Sequence, residues 1–421
     1  IAVRLAHIAF RNLFRNTTRT VLSISAITIA SILGVFFLAM LDGLQESTRE
    51  NVLKYYTGVI QVRHADYGEY EYLSPMHLYI PSIEPLVEEI ENLPGVTLVT
   101  PRIEAPGQIY IDENPLDDEP GERYNAVAFG VDPAAERSLL EPDALVREGR
   151  LPRAGKREVA MGYELAEKIG LAIGDTFAFL SQTAERAVNA ASFEITGILA
   201  FPQAELNARR FLVAFDTMQS FLRMADGAQQ LVVMTEEPES SEPQLAAIRE
   251  ILAESEDYDA VGVTYWKEEG ELYAILASTA AIYDIMVIFF LLLGATVIVN
   301  TTMMTVFERY REIGVLGSMG MRPREVVRLF FLEAVMAGLI SAVIGVGVGS
   351  GLSLLFGATG IPLPATYGEL GFEMSNVMYP KLTLSTVVLM FVYTVTIPAL
   401  VTLLPTRKAA RIEPVEALGA T

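Results

Sequence analysis

IMVIFFLLLGATVIVNTTMMTVFERYREIGVLGSMGMRPREV, Ile285 to Val326, decides how this chain is built. It runs without a charge through Phe307, breaks into Arg, Glu and Gly, and is soon followed by a second apolar run from Ala334. A helix needs about 20 apolar residues to cross a hydrocarbon core of about 30 Å. Four stretches satisfy this: 21–40, 282–306, 334–356 and 384–404. The expected fold is a membrane protein with four transmembrane α-helices and a large mixed α/β extracytoplasmic domain between spans 1 and 2. That domain, with helical stalks, covers 41–281. The remaining pieces are an amphipathic elbow helix (1–20), a connector (307–333), a short outer loop (357–383) and a tail (405–421).

Composition agrees with this division. The 421 residues are 51% hydrophobic, yet the formal net charge is −21, so apolar and acidic residues occupy different segments. Lys and Arg near the spans set orientation. Arg4, Arg11, Arg15 and Arg19 precede span 1, five arginines occupy 307–333, and Arg407, Lys408 and Arg411 follow span 4. These pieces sum to about +6 and leave about −27 for the rest, so both termini are expected in the cytoplasm and the acidic bulk outside. Nucleic acid is thereby excluded as a partner of that domain. The first run is too long for a cleaved signal peptide. The chain starts at Ile1, so an initiator Met is expected before it. There are no cysteines, and His7, His64 and His77 have no metal-ligand spacing.

The outer segment mixes strand and helix signals. Alternation predicts strands at Thr57–His64, Val96–Arg102 and Thr176–Leu180, and within YNAVAFGVD and SFEITGILAF. Helical spacing predicts Ile83–Asn92, Tyr163–Ile169 and PQLAAIREILAES, and after Trp266 it continues into span 2 as a stalk. Asp112–Glu122 and Glu236–Pro243 are acid-rich and read as solvated loops. None of the six lysines is followed by Ser or Thr, so the chain has no phosphate-cradling GxxxxGK[ST] loop.

In the connector, Ile313, Leu316 and Met319 recur at helical spacing as one apolar stripe. Gly320 suits a left-handed C-terminal position, and Pro323 stops continuation. Such a short helix fits a groove on another protein, or tucks under the bilayer. Asp at Ile313 and Leu316 is expected to release that partner. Ala337, Ser341, Gly345 and Gly349, spaced by four, offer span 3 a close-packing face. Glu333 stands at the membrane edge, where Arg328 or a tail residue is its expected partner. Pro398 is expected to kink span 4, with Thr394 or Thr396 satisfying the freed carbonyl.

FERYREIGVLGSMGMRPREVVRLFFLEAV resembles the coupling-helix region of FtsX/MacB-type ABC permeases, on Arg311-Glu312-Ile313-Gly314, Gly320 and Glu333. AFRNLFRNTTRTVLSISAITIA, FGVDPAAE, GRLP, EVAMGYELAEKIGLAIGD, FEITGILAF, TYWKE and RKAARIEPVEAL fall in that family's order. Gly317-Ser318-Met319-Gly320 departs from it, where a basic residue and Ala-Leu are more usual before the Gly. Lacking a fused ATPase, and with a large outer domain, the chain looks most like the lipoprotein-releasing permeases. The resemblance implies a MacB-like periplasmic core domain and a coupling helix carried by Arg309, Arg311, Glu312, Ile313, Gly314, Leu316, Met319, Gly320 and Arg322. It implies an ABC ATPase dimer that binds ATP and Mg, a second permease subunit, membrane lipids, lipoprotein cargo and a periplasmic carrier. This chain then holds no cofactor and is not itself an enzyme. Efflux of peptides or amphiphiles, and FtsX-like regulation of an envelope hydrolase, are the alternatives. Lipoprotein release needs an apolar route, for which Val35, Phe36, Phe37 and Met40 face candidates Ile285, Ile288, Phe289 and Leu292. The plain alternative for these residues is lipid-facing bulk.

Overall fold

The computed structural model describes residues 11, 17–111, 121–268, 271–362 and 377–410. The expected elbow helix before residue 17, the first acid-rich loop, most of the loop between spans 3 and 4, and the end of the tail lie outside the described residues. Two compact units form. One gathers the long apolar helices, and the other is built from Thr48–Leu276.

The chain enters through α1 (Thr17–Val52), which ends in a π-helical turn at Leu53–Thr57. The outer unit then runs β1 (Ile60–His64), α2 (Ile83–Glu91), β2 (Val96–Ile111), β3 (Glu122–Val131), α3 (Arg137–Leu140) and α4 (Pro142–Leu145). It continues with β4 (Val146–Gly149), β5 (Glu158–Gly162), α5 (Tyr163–Ile169), β6 (Thr176–Gln182) and β7 (Val188–Leu199). Next come α6 (Ala204–Arg209), β8 (Arg210–Ala214), α7 (Phe215–Leu222), β9 (Gln230–Thr235), α8 (Glu242–Glu254) and β10 (Val261–Tyr265). Four helices long and apolar enough to cross a membrane are present among the described residues. Besides α1 they are α9 (Glu271–Glu308), α11 (Pro323–Thr359) and α12 (Leu384–Ala409), with α10 (Tyr310–Ser318) between the middle two.

The outer unit has two lobes that share β2. In the first, the strand order is β10-β1-β9-β2, all antiparallel, with α2 following β1 and α8 following β9. That is the βαββαβ arrangement of ferredoxin-like domains. Ile83, Leu86 and Ile90 of α2 and Leu245, Ile248 and Leu252 of α8 are buried in one core with Ile60, Val62, Leu231 and Val233. Helical spacing thus meets strand alternation on one face of the sheet.

The second lobe is inserted between β2 and β9. Here β2 pairs β3, β3 pairs β8, β8 pairs β5, β5 pairs β7, β7 pairs β6, and β6 pairs back to β2. The ring closes into a small barrel, which removes exposed strand edges. Its interior is aromatic: the rings of Phe177 and Phe179 meet Phe211 at centroid distances of 5.5 and 5.0 Å. The strand expected to end at Arg102 runs on to Ile111, because its second half belongs to this ring.

On the barrel's flank, Arg150 closes a two-pronged pair with Glu158 at 2.6 and 2.8 Å, while the Arg153 amide donates to the same carboxylate. The hydrogen bond from Arg150 holds the Glu158 pKa down at about 2 from its ordinary 4.5. A depressed carboxylate contributes stability above its unfolded pKa and loses it as pH falls toward the folded value. The advantage of wild type over Glu158→Gln in urea denaturation is therefore present at pH 7, shrinks below about pH 4.5 and is nearly gone near pH 2.

The helical unit packs through small and hydroxylic side chains, as helices do where lipid supplies no hydrophobic drive. Ser341 Oγ donates to the Ile24 carbonyl at 3.2 Å. A Cβ on Gly345 would lie 2.7 Å from Ser31 Cβ, and one on Gly349 would lie 2.9 Å from Val35 Cβ. The face spaced by four on α11 thus meets α1, while Ala337 borders a chamber nearer the connector. Asp42 on α1 accepts from Thr383 and Thr386 at 2.9 and 2.7 Å, placing a carboxylate at the N-terminus of α12. Thr394 donates to Ser31 Oγ at 3.1 Å and Thr396 to the Val392 carbonyl at 2.7 Å, with Thr402 on the Pro398 carbonyl. This corrects the expectation that Thr394 or Thr396 serves the carbonyl freed by Pro398. Asn300 is exposed on α9.

Candidate functional site

The connector is compact. Arg309 alone separates α9 from α10, and Gly320, at φ +89°, ends the turn after α10. Only glycine takes that conformation without strain. Pro323 is not just a stop: it occupies the first turn of α11, where its missing N–H costs nothing. Glu325 accepts from the Arg322 amide at 3.1 Å and fixes the start of that helix.

The expected stripe divides. Ile313 is buried with Val326, Phe330 and Ala409, and Leu316 packs against that cluster half-buried. Gly314 is also buried. Met319, by contrast, is 79% exposed, beside Val315 at 41%. The helical phase explains the split: Ile313 and Leu316 sit over α11, whereas Met319 falls past the last helical residue, Ser318. The surface open to a partner is therefore Val315, Ser318 and Met319, with Arg324 exposed beyond them. Arg311 lies on α10, and Arg322 precedes α11 and is exposed.

Arg309 binds this segment together. Its Nε donates to Glu312 at 3.0 Å, its Nη1 donates to Glu333, and its guanidinium stacks 4.7 Å from the Phe330 ring. The side chains of Arg309 and Glu333 are only 17% and 6% exposed. Glu333 thus pairs with Arg309, not with Arg328, whose side chain is exposed. The spacing of 24 residues hid this pair from a local reading. Beside it lies a chamber of about 90 Å3, bordered by hydroxyls of Ser23, Thr302, Thr305 and Thr402.

Toward the other end of the unit, a groove of about 580 Å3 is lined almost wholly by apolar side chains of α1, α9 and α12. Phe36, Phe37 and Met40 line it. Val35 does not; it is fully buried against Leu38, Val346 and Met390. Ile285, Ile288, Phe289 and Leu292 also do not line it, and each is more than half exposed. They form one outward stripe, and the wall on α9 comes from Phe290, Leu291, Leu293, Gly294 and Val297. The expected wall residues on α9 lie off this groove, because α9 is apolar all round and periodicity cannot phase it.

The outer unit carries a further buried site. Arg102 and Glu136, both with fully buried side chains, form two bonds of 2.9 Å, and Thr100 donates to the same carboxylate. Arg102 also donates to the Lys54 carbonyl at 2.7 Å, and Arg210 donates to the Tyr55 carbonyl at 3.2 Å. Two guanidiniums thus meet the carbonyl end of the π-helical turn after α1, where the helix dipole favours positive charge. Among the described residues no cluster of His, Cys, Asp and Glu could hold a metal.

Comparisons with known proteins agree with this layout. The MacB-like periplasmic core domain family matches residues 20–251, more than half of the chain, and the FtsX-like permease C-terminal family matches residues 285–414. The lipoprotein-releasing system transmembrane protein LolC of Xylella fastidiosa (strain 9a5c) is 24% identical over 423 residues, covering 94% of each chain. The macrolide export ATP-binding/permease protein MacB 2 of Aeromonas hydrophila is 32% identical over 129 residues, which is 31% of this chain and 18% of that one. The periplasmic region of MacB from Actinobacillus actinomycetemcomitans aligns over 56% of this chain and 98% of that one, at 13% identity and a TM-score of 0.37, too loose a likeness to add to the family matches. With both halves claimed in the order its helices and outer domain require, the chain belongs to the family of FtsX/MacB-type permeases of ABC transporters.

Proposed function

We propose that this permease couples ATP hydrolysis by a separate cytoplasmic subunit to movement of its outer domain, and that the work done is extraction of lipoproteins from the inner membrane. The observation that carries the cargo is the extent of likeness: the match to a lipoprotein-releasing subunit runs nearly end to end, while the likeness to MacB 2 covers 18% of that exporter. Both termini and the connector then face the cytoplasm, as the arginines near the spans favour. In this reading ATP and Mg are bound by the partner; none of this chain's lysines stands in a GxxxxGK[ST] motif. A second permease subunit completes the assembly.

The energetics support an apolar route. Each methylene is worth about 0.8 kcal/mol, so acyl chains totalling about 45 carbons cost tens of kcal/mol to expose to water. The groove bounded by Phe36, Phe37, Met40 and Phe290 offers shelter of the right chemistry. Efflux of an amphiphile is the second reading, favoured by the higher local identity to MacB 2.

Co-purification from native membranes in mild detergent tests the reading. An ATPase subunit together with acylated lipoprotein is the expected result. An ATPase with only a small amphiphile overturns the cargo, and no ATPase overturns the coupling. Coupling has its own variant. Val315→Asp with Met319→Asp is expected to weaken ATPase capture by about 2 kcal/mol, roughly thirtyfold, while the melting temperature stays unchanged because both side chains are exposed. Asp at Ile313 and Leu316 is a poorer probe, since it breaks the chain's own packing. Undiminished capture by the Val315/Met319 variant would remove this surface from the interface.

A further inference from the structure

The acid-rich stretch Glu236–Pro243, which reads as a solvated loop, is a bracket. It forms a 3-10 turn at Pro238–Ser240 that leads into α8. Ser241 Oγ holds the turn by donating to the Glu237 carbonyl at 2.8 Å. The segment leading to α9 is fastened to it. Tyr265 Oη and Trp266 Nε1 both donate to the Pro238 carbonyl, at 2.7 and 2.9 Å, and Lys267 Nζ donates to the Glu239 carbonyl at 2.6 Å. The Glu239 carboxylate reaches further. One oxygen pairs with Lys267 at 2.7 Å, and the other accepts from Arg49, near the end of α1, at 2.5 Å.

We propose that Glu239 is a clasp between the two membrane-crossing helices that flank the outer domain, so that displacement of one is passed to the other. This rests on the coupling reading above. The bonds to Pro238 are made by neutral groups that pack into the lobe's core and fix the α9 lead-in to the bracket. The pair with Arg49 runs from the bracket to α1, and it is half exposed on the Glu239 side. Exposed ion pairs are individually weak, commonly below about 1 kcal/mol. A clasp of that strength can open and re-form within a working cycle without trapping either state. The geometry makes Glu239 a positioning residue that transmits motion and takes no part in chemistry. Lys267 supports the arrangement: its hydrogen bond to Glu239 raises its ammonium pKa above the ordinary value.

The test uses the permease with its ATPase in nanodiscs, read by hydrogen–deuterium exchange with and without ATP. In wild type, ATP is expected to change exchange in peptides covering 236–241 and 261–267. Glu239→Ala is expected to reduce that ATP-driven change about fivefold while ATP hydrolysis continues at the wild-type rate. Reversing the charges together, Glu239→Lys with Arg49→Glu and Lys267→Glu, is expected to restore it. Glu239→Gln, which keeps the shape, guards against misfolding, and the fluorescence of the single tryptophan, Trp266, checks the fold. A full ATP response in Glu239→Ala or Glu239→Gln overturns the clasp alone. No ATP response in wild type overturns the coupling reading and the clasp with it.

Discussion

Glu136→Ala destabilises the outer domain by about 3–5 kcal/mol, because it strands a fully buried guanidinium. Arg102 keeps its bond to the Lys54 carbonyl but loses both carboxylate bonds, and Thr100 loses its acceptor. Few domains hold more than 5–15 kcal/mol, so the loss is a large share of the total. Guanidinium denaturation followed by Trp266 fluorescence measures it directly, since the chain has one tryptophan. Removing both partners tests the cause. Arg102→Met with Glu136→Leu should recover most of the stability, because no unpaired charge remains. A double variant as unstable as the single one would assign the cost to lost packing. The same pair holds the carbonyl end of the turn after α1, so Glu136→Ala should also increase amide exchange at Lys54–Gly58.

Arg309→Ala has a comparable expected effect in the helical unit, about 3–5 kcal/mol, since Glu333, almost buried, loses the guanidinium it pairs with. Arg309→Lys rescues only partly. A lysine has no planar fork to reach Glu312 and Glu333 together, nor a face to lay on Phe330. The measurement is the melting temperature in detergent, with a double-mutant cycle using Glu333→Gln. If Arg309→Ala and Glu333→Gln simply add, the pair is not coupled. A further consequence concerns the connector. Arg309 is the one residue between α9 and α10, so its replacement should leave α10 free to swing and, on the coupling proposed above, lower ATPase capture even where the apolar helices survive.

Several elements were legible at once. Ile83, Leu86 and Ile90 recur at helical spacing, and α2 ends within a residue of the expected boundary. α5 spans Tyr163–Ile169, as its helical spacing implies. Other features were not. Barrel closure depends on β6 pairing with β2 across about 70 residues of chain, and no local pattern records which strands become neighbours. Which face of α9 lines the groove was not legible, because its apolar residues surround the whole helix. That Met319 leaves the buried face of Ile313 and Leu316 was not legible either, because three-residue spacing continues past the point where the helix itself stops.

The sequence by itself determined the four long apolar helices, the side on which positive charge gathers, the acidic outer domain and the lack of a nucleotide-binding loop. These are properties of composition along the chain, and hydrocarbon thickness and backbone hydrogen bonding convert them into spans without reference to distant residues. Tertiary structure alone decided which ionic groups meet. Arg309 found Glu333, Arg102 found Glu136, and Glu239 found Arg49 and Lys267, at separations of 24, 34, 190 and 28 residues. A charge declares its sign in the sequence, but its partner is set by which helices and strands pack together, and burial then makes that choice costly to undo.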